Sequence, residues 1–526
     1  MLQFIAVISL AVFTIVNVLV GVLSSRRTKT MESFLLAGRN LGPLLSAFSY
    51  GTSYFSAVIF IGYAGMFGWT IGMGSMWIGI GNAILGCLLA WLILAKPTRR
   101  MTHSLNTRTM PEFFAARFLD RRMKVYAALI IFLFLVPYAA GVYKGLGSLF
   151  SVIFTQASPT VCMAIVAVLT AVYLILGGYV ATAWNDLIQG CIMIFGLLCM
   201  VILIVNQPEV GGFSEVTKRL GAIDPALVNP TGGASGKMLI VNILLTSFGV
   251  WGMPQMIHKY YAVRKGGSIR IATVISTVFA LFIGCGAYFT GALSHLFFWS
   301  DADGLPAVEG GYDFIIPTLL TRALTSGVFP VIILCVVMLL LLSASMSTLS
   351  ALVLSSSSAV SIDLMQAVNP NIDKRKQMVV MRVFCLVFVL LSFLFASMNI
   401  SFIVNLMSFS WGVVAGSFIG PFLWGLYGKF VTRIGVWAGL LCGPAIVGFL
   451  LLYNMSRFGF EAAKGLAPQF GVAAMAASFL IVPAVSLLTG KHGYEPAHIQ
   501  KVFETEEEGA EEGNGERITE RVPRAR

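Results

Sequence analysis

An apolar segment that begins with GPLLSAFSYGTS at residues 42–53 is interrupted in its middle by glycine and hydroxyl residues. A second apolar segment, residues 239–257, is interrupted by Gly249, Gly252 and Pro254. Broken helices leave backbone carbonyls free to bind a ligand inside a membrane. Because the two segments are five predicted helices apart, they predict two five-helix repeats of opposite topology, each opening with a broken helix. The simpler interpretation of either segment alone is that glycine and proline are common in membrane helices.

The composition is that of a membrane protein. Of the 526 residues, 57% are hydrophobic and 11% are charged, whereas soluble proteins carry about 25% charged residues. The formal net charge of +12 comes from basic residues in short patches between apolar runs, which excludes the single basic face of a nucleic-acid-binding protein. The eight cysteines lie inside apolar runs without a CxxC pair, so neither a disulfide framework nor a zinc site is expected.

Thirteen apolar segments are long enough to cross the ~30 Å hydrocarbon layer as helices, which predicts an all-α membrane protein. They comprise residues 4–23, 43–70, 74–95, 125–153, 160–178, 187–205, 239–257, 271–299, 328–362, 378–396, 401–426, 434–453 and 472–488. With the N-terminus outside, 28 of the 35 Lys and Arg residues fall on the cytoplasmic side and 6 on the outer side. Basic residues favour the cytoplasmic side, so the sequence predicts an outer N-terminus and a cytoplasmic C-terminus.

This layout divides the chain into four regions. A leading helix and cytoplasmic loop occupy residues 1–41, a ten-helix inverted-repeat core occupies 42–427, and two further helices occupy 428–490. Residues 491–526 hold nine glutamates and few apolar residues. Such a segment cannot bury enough surface to offset the entropy of ordering. It is predicted to be a disordered, acidic cytoplasmic tail.

One predicted helix carries an unusual run of hydroxyl side chains, SASMSTLS at residues 343–350, followed by four serines at 355–358. Small hydroxyl residues allow close approach and hydrogen bonds between membrane helices. Hydroxyl and carbonyl oxygens are also the ligands that a hard cation needs. The composition of the helix favours neither use, and the two are compatible.

Two charged residues, Lys144 and Asp186, lie within or at the edge of the apolar segments. Charges at membrane depth are costly and face a partner or a cavity. Lys144 lies roughly 30 Å along its helix from Lys124, far from the cytoplasmic edge where Asp186 is predicted, so the two are not expected to pair. Lys144 is interpreted either as a snorkelling or structural lysine or as the partner of a substrate carboxylate. Asp186 is interpreted either as a functional carboxylate or as a helix N-terminal group next to water.

Four stretches together resemble the sodium:solute symporter family, which includes sodium/proline, sodium/pantothenate and sodium/sugar symporters. They are AGRNLGP at 37–43, GGYVATAWNDLIQ at 177–189, GVWGMP at 249–254, and MSTLS at 346–350 with Asp363-Leu364 downstream. The resemblance implies a leucine-transporter-like fold of about thirteen helices with a five-plus-five inverted repeat, which agrees with the helix count above. It also implies Na⁺ as the coupling ion.

The resemblance further implies ion ligands. The Na⁺ site would combine the carbonyls of Thr52, Phe55 and Ala344 with the hydroxyls of Ser347 and Thr348. Some members have a second Na⁺ site that uses the carboxylate matched by Asp186 and the hydroxyls that follow the Ser-Thr pair. Here Ser350 is present but the next residue is Ala351, so a second site would lack one hydroxyl.

The expected solute-facing residues match neither of two known patterns in the family. Proline carriers have an acidic residue at the position of Tyr54 and aromatic residues at Thr246 and Val250, and sugar carriers have a tyrosine at Val250 and an asparagine at Ser247. The resemblance places the solute near Ser53, Tyr54, Ser247, Val250, Trp251 and Lys144. An ammonium group at Lys144 would favour a carboxylate-bearing solute.

The sequence therefore predicts a secondary active transporter in a lipid bilayer. It would couple Na⁺ entry to uptake of a small organic solute, an amino acid or a monocarboxylate, by alternating access, and would function as a monomer. The alternatives are a proton-coupled or uncoupled carrier and a transport-inactive sensor or channel of the same fold. An enzyme is disfavoured because the five histidines are scattered and no HExxH or paired-carboxylate motif occurs.

Overall fold

A computed structural model describes residues 2–25, 31–264, 267–301, 304–324, 327–369, 372–398 and 400–490, together with 498–499 and 502–503. Throughout these ranges the regular structure is helical, with two isolated β-bridges in addition. The predicted acidic tail lies outside the described residues except at 498–499 and 502–503.

The helices that build the core are numbered in chain order. They are α1 (Leu2–Ser25), α2 (Pro43–Tyr54), α3 (Val58–Ser104), α4 (Arg121–Ile153), α5 (Pro159–Val205), α6 (Gly236–Gly249), α7 (Pro254–Ala262), α8 (Ser268–Leu296), α9 (Val328–Val368), α10 (Lys374–Ser397), α11 (Ile403–Tyr427), α12 (Arg433–Gly465) and α13 (Ala467–Thr489). Shorter helices in the connections include Met31–Leu36, Met110–Phe118, Phe213–Ile223 and Ile315–Leu324.

Both predicted helix breaks are confirmed. Helix α2 ends at Tyr54, and Phe55 takes an extended conformation (φ −105°, ψ 115°) before the helix resumes at Val58. Helices α6 and α7 are bent by 41° across residues 250–253. Each break falls in the middle of an apolar segment, where the freed backbone groups must find partners inside the protein.

The number of spans is confirmed only in part. Within the described residues, ten helices are long and apolar enough to cross a membrane, or eleven when α6 and α7 count as one bent span. Helices α3 and α5 each comprise 47 residues in two parts that meet at a kink. Gly72 (φ 70°) interrupts α3, and Gly178 (φ 57°, ψ −160°) interrupts α5. Each of these helices covers parts of two predicted segments, so the count of thirteen remains a prediction.

A short backbone pairing joins the beginning of α2 to the end of α7. Leu41 donates its N–H to the Ala262 carbonyl at 3.0 Å and accepts from the Arg264 N–H at 2.9 Å. The two broken segments, far apart in sequence, are therefore held together at one end. This pairing sets the position of the beginning of α2 relative to the end of α7.

Glycines allow α3 and α8 to pack with their backbones in contact. The Cα atoms of Gly79 and Gly284 face each other, and a Cβ at Gly79 would lie 2.6 Å from the Gly284 carbonyl carbon. Backbones approach this closely only where side chains are absent, which is a common device of membrane helix packing.

Gly79→Ala is expected to lower the free energy of unfolding by about 1–3 kcal/mol, because the new methyl group has no space against the α8 backbone. The melting temperature of the purified protein in detergent measures the effect. Gly448→Ala in α12 is the matched control, since no atom lies within 4 Å of the Cβ it would add. Equal melting temperatures for the two variants would contradict the proposed close packing.

Candidate functional site

The break in α2 lies against the hydroxyl-rich part of α9. The Thr348 hydroxyl is 3.1 Å from the Ser53 carbonyl oxygen and 3.1 Å from the Ala344 carbonyl oxygen. The Ser347 hydroxyl is 2.8 Å from Thr52 Oγ1. The Ser53 carbonyl belongs to the last turn of α2, so the side chains of α9 bind the polar groups that this helix end leaves free.

The structure places Thr52 of the predicted Na⁺ site against Ser347, and Ala344 against Thr348, while Phe55 follows directly after the end of α2. Thr52, Phe55, Ala344, Ser347 and Thr348 are each at most 1% exposed. They offer carbonyl and hydroxyl oxygens from α9, from α2 and from the break that follows α2. This donor set fits a hard cation such as Na⁺ and offers no nitrogen or sulfur ligand for a softer metal.

Asp186 lies beside this cluster and is 1% exposed. The Ser347 hydroxyl donates to its Oδ1 at 2.6 Å, and the Ser49 hydroxyl donates to its Oδ2 at 2.6 Å. The interpretation of Asp186 as a helix N-terminal carboxylate next to water is therefore wrong. It lies in α5 about two helical turns after the interruption at Gly178, and its carboxylate faces α2 and α9 instead.

The carboxylate of Asp186 has a charged partner that the sequence did not reveal. Lys259 of α7 places its Nζ 3.7 Å from Asp186 Oδ2 and 2.9 Å from Ser49 Oγ. The count of basic residues assigns Lys259 to a cytoplasmic loop, but the structure buries it to 3% exposure. That assignment fails because α7 continues past the predicted end of its span, and a buried carboxylate stabilises the ammonium.

The predicted second Na⁺ site is only partly assembled. The Ser350 hydroxyl donates to the Ser347 carbonyl one turn earlier, at 2.8 Å. Ala351 adds no side-chain oxygen. The Asp186 carboxylate is thus engaged by two hydroxyls and an ammonium.

Five of the predicted solute-facing residues lie where the broken ends of α2 and α6 approach α3. The Tyr54 hydroxyl donates to the Thr246 carbonyl at 2.8 Å, and the Trp251 indole N–H donates to the Leu85 carbonyl at 3.0 Å. Ser53 is the second residue of the group on α2, and its hydroxyl lies 3.4 Å from that of Ser347. Ser247 and Val250, both buried, complete the group from α6 and its break.

Asn82 of α3 stands at the centre of this region and was missed in the sequence. Its Oδ1 accepts hydrogen bonds from the Thr246 hydroxyl at 2.7 Å and the Ser247 hydroxyl at 3.2 Å. Its Nδ2 is buried and has no hydrogen-bond partner among the described residues. An unpaired buried amide is costly, so this nitrogen is available to a ligand. In the amino-acid sequence, the signal that could have identified Asn82 is that it is the single amide residue in the mainly apolar segment 74–95.

Lys144 lies apart from this group, and its ammonium is already paired. Its Nζ is 3.2 Å from Asp313 Oδ2 and donates to the Ser401 carbonyl at 2.7 Å. Asp313 also accepts from the Ile403 N–H, at the beginning of α11. Burial raises the pKa of the Asp313 carboxyl, and the charge of Lys144 opposes that rise. The expected lack of pairing between Lys144 and Asp186 is confirmed, but the expectation that Lys144 faces the solute is corrected, because Asp313 neutralises it.

Comparison with known proteins identifies relatives over most of the chain. The family model for the sodium:solute symporter family matches residues 34–443. The sodium/proline symporter of Salmonella typhimurium is 29% identical over 459 residues, covering 85% of this chain and 89% of the relative. The high-affinity proline transporter PutP of Bacillus subtilis is 28% identical, covering 90% of this chain and 95% of the relative.

Solved structures show the same fold. A Na⁺-coupled sialic acid symporter, in a substrate-bound outward-open state, superposes with a TM-score of 0.72 at 19% identity, covering 92% of this chain and 97% of that one. The nucleobase-cation-symport-1 family transporter Mhp1 superposes with a TM-score of 0.51 at 16% identity, covering 89% and 97%. These likenesses confirm the leucine-transporter-like fold expected from the sequence.

Loss of either member of the Lys144–Asp313 pair is expected to lower the stability of the protein. Removing one charge, by Lys144→Met or Asp313→Asn, leaves the other buried without its partner. We expect each single variant to lose up to about 3 kcal/mol of unfolding free energy, because the Lys144 side chain is 17% exposed and its charge is partly solvated. The double variant should recover most of the loss, as melting temperatures of the three proteins will show. Simple addition of the two losses would mean that the charges do not interact.

Proposed function

The chain belongs to the sodium:solute symporter family, a family of transporters in which Na⁺ is the coupling ion, and we propose that it takes up a small carboxylate-bearing solute such as an amino acid. The Na⁺ would be held by Thr52, Phe55, Ala344, Ser347 and Thr348. The solute would be held between the broken segments and α3, by Ser53, Tyr54, Ser247, Val250 and Trp251 with Asn82 added to them.

The observation that carries this proposal is the meeting of α2 and α9 at the Thr348 hydroxyl, 3.1 Å from a carbonyl of each helix. Oxygens from both helices are thus within reach of one ion. A bound Na⁺ would draw these oxygens together and stabilise one arrangement of α2 relative to α9. Coupling follows if the solute prefers the same arrangement, because each ligand then raises the affinity of the other by the same factor.

The nature of the solute is proposed from two observations. Curated relatives that cover most of the chain are proline transporters, and proline carries a carboxylate. In this chain the buried Asn82 Nδ2 is a free hydrogen-bond donor in the solute region, and a carboxylate is a strong acceptor. Lys144 is not part of the proposed solute site, because Asp313 already balances its charge.

The layout of the chain is proposed from its charge distribution. We place the N-terminus outside and the C-terminus in the cytoplasm, with residues 42–427 as the transport core and 428–490 as two peripheral helices. The excess of basic residues in alternate loops supports this orientation. Both proposed sites are built within one chain, which supports a functional monomer.

Uptake of radiolabelled proline into proteoliposomes, with and without an inward Na⁺ gradient, tests the proposed function. A panel of unlabelled amino acids and monocarboxylates added as competitors identifies the preferred solute. Uptake that follows a proton gradient alone, or a complete lack of uptake of the whole panel, would contradict the proposal.

Ser347→Ala and Thr348→Ala are each expected to raise the Na⁺ concentration for half-maximal uptake by roughly 10-fold or more, because a hydrogen-bonding oxygen to a charged group contributes about 1.5–3 kcal/mol. The control is Ser358→Ala on the same helix, whose hydroxyl donates to the Ser355 carbonyl one turn earlier. An unchanged Na⁺ requirement in both site variants would refute the site assignment.

Asn82→Asp should raise the KM for a carboxylate solute by roughly 10-fold or more, because it replaces a donor nitrogen by an anionic oxygen while leaving an acceptor for Thr246 and Ser247. Pyrrolidine, which lacks the carboxylate, should be affected less as a competitor. Asn242→Asp is the matched control, since the Asn242 amide donates to a carbonyl of its own helix. Equal KM values for Asn82→Asp and the unaltered protein would refute the role of Asn82.

A further inference from the structure

We infer that Lys259 supplies a tethered positive charge at Asp186, in the place of a second Na⁺, so that this chain binds a single Na⁺. The inference rests on the proposed function, because it concerns the number of ions that the symporter binds. It follows from the donor set around Asp186, from the position of the Lys259 ammonium and from the backbone that holds it there.

The residues around Asp186 do not fit a second Na⁺. Both carboxylate oxygens already accept hydroxyl hydrogen bonds at 2.6 Å, from Ser49 and Ser347. The Ser350 hydroxyl is bonded to the Ser347 carbonyl, and Ala351 has no side-chain oxygen. A hard cation requires several oxygen ligands at once. The side-chain oxygens of this cluster are already engaged in the hydrogen bonds described above.

The Lys259 ammonium already occupies the neighbourhood of the carboxylate. Its Nζ donates to Ser49 Oγ at 2.9 Å, and Ser49 in turn donates to Asp186. The ammonium also lies 5.0 Å from the centre of the Tyr179 ring, a further favourable contact for a cation. The pair of Asp186 and Lys259 is electrically neutral. A Na⁺ bound at Asp186 would add an uncompensated positive charge close to the ammonium, in a buried site where repulsion is weakly screened.

The backbone places Lys259 in this position. The paired stretch of Leu41 with Ala262 and Arg264 joins the end of α7 to the beginning of α2. Lys259 is within one turn of this pairing on α7, and Ser49 lies two turns along α2. These main-chain hydrogen bonds therefore hold the ammonium near its hydroxyl partner.

The same arrangement positions a ligand of the first Na⁺ site. The Ser347 hydroxyl has two acceptors within reach, Asp186 Oδ1 at 2.6 Å and Thr52 Oγ1 at 2.8 Å. When it donates its hydrogen bond to Asp186, the lone pairs of its oxygen are available to an ion. Lys259, 3.7 Å from the other carboxylate oxygen, holds the Asp186 side chain in place to accept this hydrogen bond. Lys259 is thus a positioning residue for the first ion and a substitute for the second.

Equilibrium binding of radioactive Na⁺ to the purified full-length protein tests the inference without requiring transport. We expect one Na⁺ per chain, and one also for Lys259→Arg, which keeps the charge. Lys259→Gln leaves Asp186 unpaired, so a second Na⁺ should bind, and the Na⁺-to-proline flux ratio in proteoliposomes should rise from one to two. Adding Ala351→Ser to Lys259→Gln should tighten binding of the second ion.

Two results would overturn the inference: two Na⁺ bound to the unaltered protein, or one Na⁺ bound to a folded Lys259→Gln variant. If Lys259→Gln does not fold, the charge-balanced double variant Lys259→Gln/Asp186→Asn replaces it. The number of Na⁺ ions bound per chain is then measured for this variant and for the unaltered protein, and each should bind one. Failure of the proposed function gives a different result, which is no Na⁺ bound to the unaltered protein.

Discussion

Backbone polar groups inside a hydrocarbon layer must be satisfied within the protein, and the break of α2 at Phe55 is where this constraint shapes the rest of the structure. The break exposes carbonyls in the middle of the protein. The hydroxyls of α9 lie against them, with Thr348 bridging the two helices. A helix end that must be satisfied by side chains from another helix is also a place where an ion can replace those bonds. The constraint that stabilises the fold thus also assembles the oxygens of the proposed ion site.

Buried ion pairs also connect elements that are distant in sequence. Asp186 and Lys259 join α5 to α7, and Lys144 and Asp313 join α4 to the segment before α9. Replacing both members of such a pair by apolar residues changes the stability little, but removing one member is costly because the other charge stays buried. The pairs therefore specify which segments meet. Both charges that the sequence singled out are therefore paired. Neutral donors such as Asn82 are left for the proposed solute site.

The residues proposed for the ion site could be selected from the sequence because their signals are local. Glycine, proline and hydroxyl residues disturb a helix wherever they occur, and a run such as 343–350 is visible in a single segment. Resemblance to a known family supplied the residues that face one another. Asn82, Lys259 and Asp313 were not found, because an amide in an apolar segment or a charge near a segment end has many possible surroundings. Their roles depend on Thr246, Asp186 and Lys144, which lie on other elements.

The amino-acid sequence alone determined that the chain is an all-helical membrane protein with two broken segments and a hydroxyl-rich helix, because apolar length and helix-breaking residues act through nearest neighbours. The tertiary structure decided which charge is free and which is paired. A lysine's position along the chain does not say whether a carboxylate lies 3.7 Å away from it on another helix. That distance is set by packing, here by the Leu41–Val263 bridge and by glycine contacts such as Gly79 with Gly284. The number of ions that the protein can bind therefore depends on the packing of its helices.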